Sequence, residues 1–324
     1  MNYIDLHCDT LMQLYQQPDK SLKDAPFQIN LAHLKKGGCL LQCFAVFVPL
    51  KKYVNPFETS LEMIDRYETE LNAVSDWIHA VYCYADLVKN IREGKISSLL
   101  TIEEGGILKG NLSFLRTLYR LGVRMICLNW NDANGIGYPN FDLNEEKRDF
   151  TKPNVKDGLT AFGFGLLRQM NRLGMIVDVS HLSDAGFYDC IRTSVHPIVA
   201  SHSNARSICH HVRNLSDDMI VALHKKGGVM GLNFCAAFLD DDPEKGKDTV
   251  SCVIRHMKHI KNLVGVDVMA IGTDFDGIPT DIALKNASFM PCLIEGMRQS
   301  GFTQDEIEKI CYKNFLRVFQ EIIG

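Results

Sequence analysis

The stretch GLTAFGFGLLRQMNRLGMIVDVSHLSDAGFYDCIRTSVHPIVASH, residues 158–202, decides the fold. Residues 160–173 carry apolar side chains at helical spacing, and Gly174 follows, a residue that closes a helix in the left-handed conformation at least cost. Residues 175–181 (MIVDVSH) are then an apolar run rich in β-branched side chains. A second amphipathic stretch, 183–193, follows with Ser183 as candidate N-cap, and 197–202 (PIVASH) is apolar again. Strands that read as continuous apolar runs, each followed by a helix, belong to a parallel sheet covered on both faces.

The same unit recurs on either side. Further strands are predicted at 3–7, 39–48, 96–103, 123–130, 228–234 and 267–274, and helices at 58–77, 111–121, 216–226 and 249–263. Asn111 and Ser216 are candidate N-caps, while Gly122 and the pairs Gly37-Gly38 and Gly227-Gly228 close helices. Eight strands in this arrangement predict an α/β protein of the (β/α)8 TIM-barrel class, one domain over residues 1–324. The alternative, a doubly wound sheet, calls for fewer strands and a glycine-rich phosphate turn, and neither G-x-G-x-x-G nor G-x-x-x-x-G-K-[ST] occurs. Residues 131–157 lack periodicity and read as an insertion on a βα loop, lying over the active-site end. Residues 288–323 hold two or three further helices.

Composition excludes several classes. The 324 residues are 46% hydrophobic and 23% charged, which excludes a disordered chain. No apolar run approaches the ~20 residues of a membrane helix. The net charge of −4, with no basic block, argues against nucleic acid and anionic membranes as partners. The start, MNYIDLH, has neither the basic nor the apolar region of a signal peptide. Eleven cysteines, an odd number without a C-x-x-C pair, read as small buried hydrophobes in a reducing, cytoplasmic setting.

The eleven histidines are more informative. His7 and Asp9 close the first predicted strand, Glu103 and Glu104 the third, His181 the fifth, His202 the sixth and Asp274 the eighth. These are carboxyl ends, where barrel enzymes assemble their sites. The H-x-D spacing of His7 and Asp9 puts both side chains on one face of a strand, able to grip one cation. Of the two adjacent glutamates, one reads as a solvated turn and the other points inward, where its two oxygens can bridge two cations. Two histidines, the H-x-D pair and one carboxylate thus form a five-ligand set for two divalent ions. Nitrogen and carboxylate donors without thiolate suit zinc, with manganese, cobalt or iron as alternatives. Such a pair activates water and polarises a carbonyl or phosphoryl oxygen, with the acid on the eighth strand free to move the proton. That describes hydrolysis without choosing between amide, ester and phosphoester. His33, His79, His224, His256 and His259 fall on predicted helices, and His210-His211 on a loop; all read as packing or surface residues. Neither a G-x-S-x-G elbow nor an evident cysteine–base pair supports nucleophilic hydrolysis.

The motifs DLHCDT (5–10), EEGG (103–106), GLTAFG (158–163), NRLGMIVDVSH (171–181), SHSNARSICHHVRNLSDD (201–218) and GTDFDG (272–277) resemble the renal, or membrane, dipeptidases of the amidohydrolase superfamily, in that family's order across almost the whole chain. The resemblance implies a binuclear-zinc barrel that cleaves dipeptides by attack of a metal-bridging hydroxide and tolerates a D-residue at the C-terminal position. It implies His7 and Asp9 as ligands of one zinc, Glu104 as the bridge, and His181 and His202 as ligands of the second. Asp274 corresponds to the general base and acid, and Arg213 to the arginine that receives the substrate carboxylate. A homodimer is also implied. Two positions depart from the animal enzymes: Trp130 stands where a substrate-contacting histidine is expected, and Cys235 where a tyrosine is common. Both alter the pocket wall. The competing expectations are the same metal site acting on another amide, a lactone or a phosphoester, and a catalytically silent binding barrel.

Overall fold

A computed structural model describes residues 2–143 and 148–324. The strands are β1 (Tyr3–Asp5), β2 (Cys39–Phe47), β3 (Ile78–Ala80), β4 (Ile96–Glu103), β5 (Met125–Cys127), β6 (Ile176–Asp178), β7 (Val199–Ala200), β8 (Val229–Leu232) and β9 (Met269–Ile271). Eight of them close a parallel ring in the order β2-β1-β9-β8-β7-β6-β5-β4, with β4 pairing back to β2. The protein is therefore a (β/α)8 barrel, and each of the eight segments read as a strand contributes one stave.

The ninth strand, β3, was not expected. It pairs with the lower half of β4, through Ile78–Ile96, His79–Ser97 and Ala80–Ser98, while β5 takes the upper half through Thr101, Ile102 and Glu103. The helix expected over 58–77 accordingly ends at Ala73, and His79 lies on a strand rather than a helix.

Two packing layers follow from the strand period of two. Leu99 points into the barrel with Ile4, Leu41, Met125, Ile176, Val199, Val229 and Ala270, an interior cluster to which all eight staves contribute. Its neighbours Leu100 and Ile102 point outward, against the helices. The base is closed by the last helix, Asn314–Ile323, whose Phe315, Val318, Phe319 and Ile322 recur at helical spacing and all pack into that interior cluster. Each such buried side chain contributes about 2 kcal/mol.

The helices start where local chemistry allows. Asn111, Thr160, Ser183 and Ser216 each accept a hydrogen bond from a backbone N–H of the first turn. Gly174, at φ 67°, ends the helix Ala161–Leu173.

At the opposite end, residues 131–143 and 148–157 of the expected insertion, whose residues 144–147 lie outside the described ones, are tied across the carboxyl ends of the strands. Asn140 Nδ2 donates to Asp184 Oδ1 (2.7 Å) and to the Val212 carbonyl (2.8 Å). Arg206 pairs with Asp184 through both guanidinium nitrogens at 2.7 and 2.8 Å. Among the described residues no helix is long and apolar enough to cross a membrane.

Candidate metal centre

Register brings the upper strand ends level: Phe47 lies opposite Glu103, Glu103 opposite Cys127, and Cys127 opposite Asp178. Side chains just beyond that level converge on the barrel axis. The His7 Nε2 lies 3.4 Å from Glu103 Oε2, 3.6 Å from Asp9 Oδ2 and 3.8 Å from Asp274 Oδ1. On the other side, His181 Nε2 lies 3.0 Å and His202 Nε2 3.6 Å from Glu103 Oε1. The His7 and His202 rings are stacked, with centroids 3.9 Å apart.

The glutamate in this cluster is Glu103. Glu104, the residue expected to bridge, is turned away by a left-handed backbone at φ 81°. Its carboxylate is consumed locally: Oε1 accepts from Gly106 N and Asn134 Nδ2, and Oε2 from Trp130 N. The correction has a simple physical origin. Leu99, Thr101 and Glu103 alternate onto the inner face of β4, and the chain leaves the sheet immediately after Glu103. Counting by two along the strand finds the right residue; the Gly-Gly that follows does not.

Backbone strain is concentrated here. His181 (φ 67°), Asp274 (φ 62°) and Asp276 (φ 68°) join Glu104 as non-glycine residues at positive φ, a conformation that persists only where surrounding contacts enforce it. Asp276 is held by Thr10 Oγ1, Gln28 N and Ile29 N. A Cβ at Gly277 would sit 2.0 Å from Asp9 Oδ2, so any larger residue there would displace the Asp9 carboxylate.

The donor atoms fit divalent cations. The carboxylate of Asp178 can only accept, so Ser201 Oγ–H donates to Asp178 Oδ2 (2.5 Å). Ser201 Oγ must then accept from His202 Nδ1 (2.7 Å), which leaves Nε2 as a lone pair facing the site. Asn131 Oδ1, 3.2 Å from His181 Nδ1, imposes the same tautomer there. Two lone-pair nitrogens thus face each other at 3.1 Å, an arrangement that a cation resolves. The buried His7 Nε2 and Asp9 Oδ1 likewise have no hydrogen-bond partner among the described residues. Three donor groups meet metal-binding spacing: His7, Asp9 and Glu103; Glu103, His181 and His202; and His7, His202 and Asp274.

Burial governs the titration of the cluster. It pushes Glu103 up to about 7, helped by repulsion from Asp9 and Asp274 and opposed by His7. It also pushes Asp274 up to about 6. His181 and His202 are held well below the ordinary histidine range by burial, with Arg213 and His7 adding to the effect. For His7, burial opposes the charge, but Glu103 and Asp9 outweigh it.

The remaining expected residues lie around this centre. Asp274 Oδ2 accepts from Asn233 Nδ2 (2.8 Å), a positioning contact the sequence did not reveal. Trp130 packs 4.9 Å from Phe47 and 6.4 Å from His181, centroid to centroid, and lines a cavity of about 390 Å³ above the cluster. Cys235 lines it too. Arg213 is buried beside this cavity, 5.5 Å from the ring of Phe238, which forms part of its wall. Its Nη2 donates to the His202 carbonyl (2.9 Å) and its Nη1 to Ser203 Oγ (3.4 Å). Its Nε has no partner, and among the described residues no carboxylate lies within 4.0 Å of the guanidinium. His256, in contrast, is a satisfied core residue between Ala205 N and the Leu239 carbonyl.

A parallel barrel whose strand ends direct imidazoles and carboxylates to one point is the architecture of metal-dependent hydrolases. Comparison with known proteins narrows the class. A profile of the membrane dipeptidase family, peptidase family M19, matches residues 1–323, and the chain belongs to that family. It is 30% identical over 310 residues to the dipeptidase tcpJ of Claviceps purpurea (strain 20.1), covering 93% of this chain and 70% of the relative. The crystal structure of dipeptidase AC, a metallopeptidase of family M19, superposes with a TM-score of 0.90 at 26% identity, covering 100% of this chain and 99% of the other. A metallopeptidase from Rhodobacter sphaeroides, crystallised with a phosphinate mimic of the dipeptide L-Ala-D-Ala, gives a TM-score of 0.89 at 25% identity, covering 99% of both chains. The protein is thus a peptide-bond hydrolase of the metallo-dipeptidase class.

Proposed function

We propose that this protein is a binuclear zinc dipeptidase that accepts a D-residue at the C-terminal position. The observation that carries the proposal is the division of Glu103: Oε2 faces His7 and Oε1 faces His181 and His202, so one carboxylate joins two donor sets. His7, Asp9, Glu103, His181 and His202 would hold the two divalent ions, which when bound would supply Lewis acidity for activating water and polarising the scissile carbonyl.

The chain's own residues do the rest. Asp274, raised to about 6 and oriented by Asn233, takes the proton of the attacking water and passes it to the departing amine as the C–N bond breaks. Arg213 receives the substrate's terminal carboxylate. A buried guanidinium with only neutral oxygens for partners is incompletely compensated, and a carboxylate matches its fork geometry. Acceptance of a D-residue is supported by the dipeptide mimic bound to the Rhodobacter sphaeroides relative.

The test is metal analysis of purified protein together with a panel of L,L, L,D and Gly-D dipeptides, lactones and phosphoesters. Two zinc ions per chain and hydrolysis confined to dipeptides, lost on chelation and restored by zinc, is the expected result. A phosphoester or lactone hydrolysed faster than every dipeptide would overturn the substrate reading. The eleven unpaired cysteines support a reducing, cytoplasmic address, which localisation of a tagged full-length chain tests.

A further inference from the structure

The wall of the cavity facing away from Arg213 has a composition that the catalytic chemistry does not require. In the ring, β7, which precedes Arg213, and β2 are separated by three strands in either direction, so the loops following them stand diametrically opposed. A dipeptide with its carboxylate at Arg213 and its peptide bond over Glu103 therefore extends its N-terminal residue toward the β2 loop. There Met12, Phe47 and Pro49 give the wall an apolar strip, with Gln13 and Gln16 beside Met12. At its rim stands Lys52, the one lysine or arginine among the described residues lining the cavity.

Lys52 is exposed, and among the described residues no carboxylate lies within 4.0 Å of its ammonium. Its neighbours show what an ordinary surface cation does here: Lys51 pairs with Asp132 at 2.6 Å and Arg148 approaches the same carboxylate at 3.5 Å. The Lys52 Nζ instead lies 5.5 Å from the Tyr53 ring centroid. An apolar strip ending in an unpaired ammonium matches a side chain with methylenes below and a carboxylate at its tip.

We propose that the enzyme prefers dipeptides whose N-terminal residue is glutamate, its methylenes lying on Met12, Phe47 and Pro49 and its carboxylate meeting Lys52. The proposal rests on the dipeptidase reading above. Aspartate, one methylene shorter, falls short of the rim, glutamine lacks the charge, and lysine is repelled.

The test is kcat/KM of the metal-loaded enzyme for Glu-Ala, Gln-Ala, Asp-Ala and Lys-Ala. Glu-Ala should exceed its isostere Gln-Ala about fivefold, the size expected of a partly solvated ion pair, mainly through KM, and the ratio should shrink as ionic strength rises. Lys52→Met should bring the ratio to about one. Lys52→Glu should invert the order so that Lys-Ala exceeds Glu-Ala, a gain that misfolding cannot produce. Gln-Ala equal to or better than Glu-Ala in the native enzyme, or a ratio unchanged in both variants, overturns the glutamate preference alone. Hydrolysis of no dipeptide at all overturns the dipeptidase reading and this preference with it.

Discussion

Glu103 and Glu104 are adjacent in the chain, yet their carboxylates serve separate structures. Glu103 lies among His7, His181 and His202, whereas Glu104 accepts hydrogen bonds from Gly106, Trp130 and Asn134. Strand alternation and the φ of 81° at Glu104 together separate them. Glu103→Gln should therefore lower metal content and remove turnover. Glu104→Gln should retain metal but lower stability by about 1–3 kcal/mol, because an amide nitrogen must then face one of those donors. Metal analysis and thermal denaturation of the two variants check this; loss of metal in the Glu104 variant alone would reverse the assignment.

Asp274 is offered as the proton carrier. Asp274→Asn should keep the metal content of the parent and reduce kcat by about a hundred- to ten-thousandfold. Parent-like turnover in a metal-replete Asp274→Asn protein contradicts that role.

The hydrogen-bond chain Asp178–Ser201–His202 fixes which imidazole nitrogen faces the site. Ser201→Ala removes the acceptor for His202 Nδ1 and should weaken metal binding about ten- to a hundredfold. Competition with a chelator of known affinity measures this directly, and unchanged affinity would show that the tautomer is set by other contacts.

The carboxylate recognition proposed for Arg213 can be tested separately from catalysis. Arg213→Met should raise KM for dipeptides about tenfold to a hundredfold, while affecting the corresponding dipeptide amides much less. Equal losses on acids and amides would indicate that the arginine only supports the His202 loop.

His256 gives a prediction about stability. Burial pushes it down to about 4, against an ordinary value of 6.5. Its neutral form is required, since Nδ1 accepts from Ala205 N while Nε2 donates to the Leu239 carbonyl. A depressed histidine contributes stability that is complete above pH 6.5 and is lost as pH falls from 6.5 toward 4, in total about 3 kcal/mol. His256→Leu should be less stable at pH 7, with a shallower loss across that window. Denaturant midpoints from pH 7 to pH 4 decide it, and parallel curves for parent and variant would count against the account.

Much of this molecule is legible in its sequence because it is written in local patterns. The eight staves, the caps at Asn111, Ser183 and Ser216, and the position of His7, Asp9, His181, His202 and Asp274 at strand ends all follow from short-range periodicity and turn chemistry. Family membership followed from motifs in order. Three features required the tertiary structure. β3 pairs with the lower half of β4 while β5 takes the upper half, a relation among three strands that the periodicity of the 78–80 segment alone does not show. The choice of Glu103 over Glu104 follows from strand alternation once Leu99 is known to face the barrel interior, a fact the tertiary structure supplies, and the left-handed torsion at Glu104 completes the separation. The orientation of His202 depends on Asp178 of the neighbouring strand β6, acting through Ser201, and the partners of Arg213 are set by how the loop after β7 folds back on itself. Sequence patterns specify which residues reach the barrel mouth. Non-local pairing specifies where each side chain points, and the chemistry of this site depends on that direction.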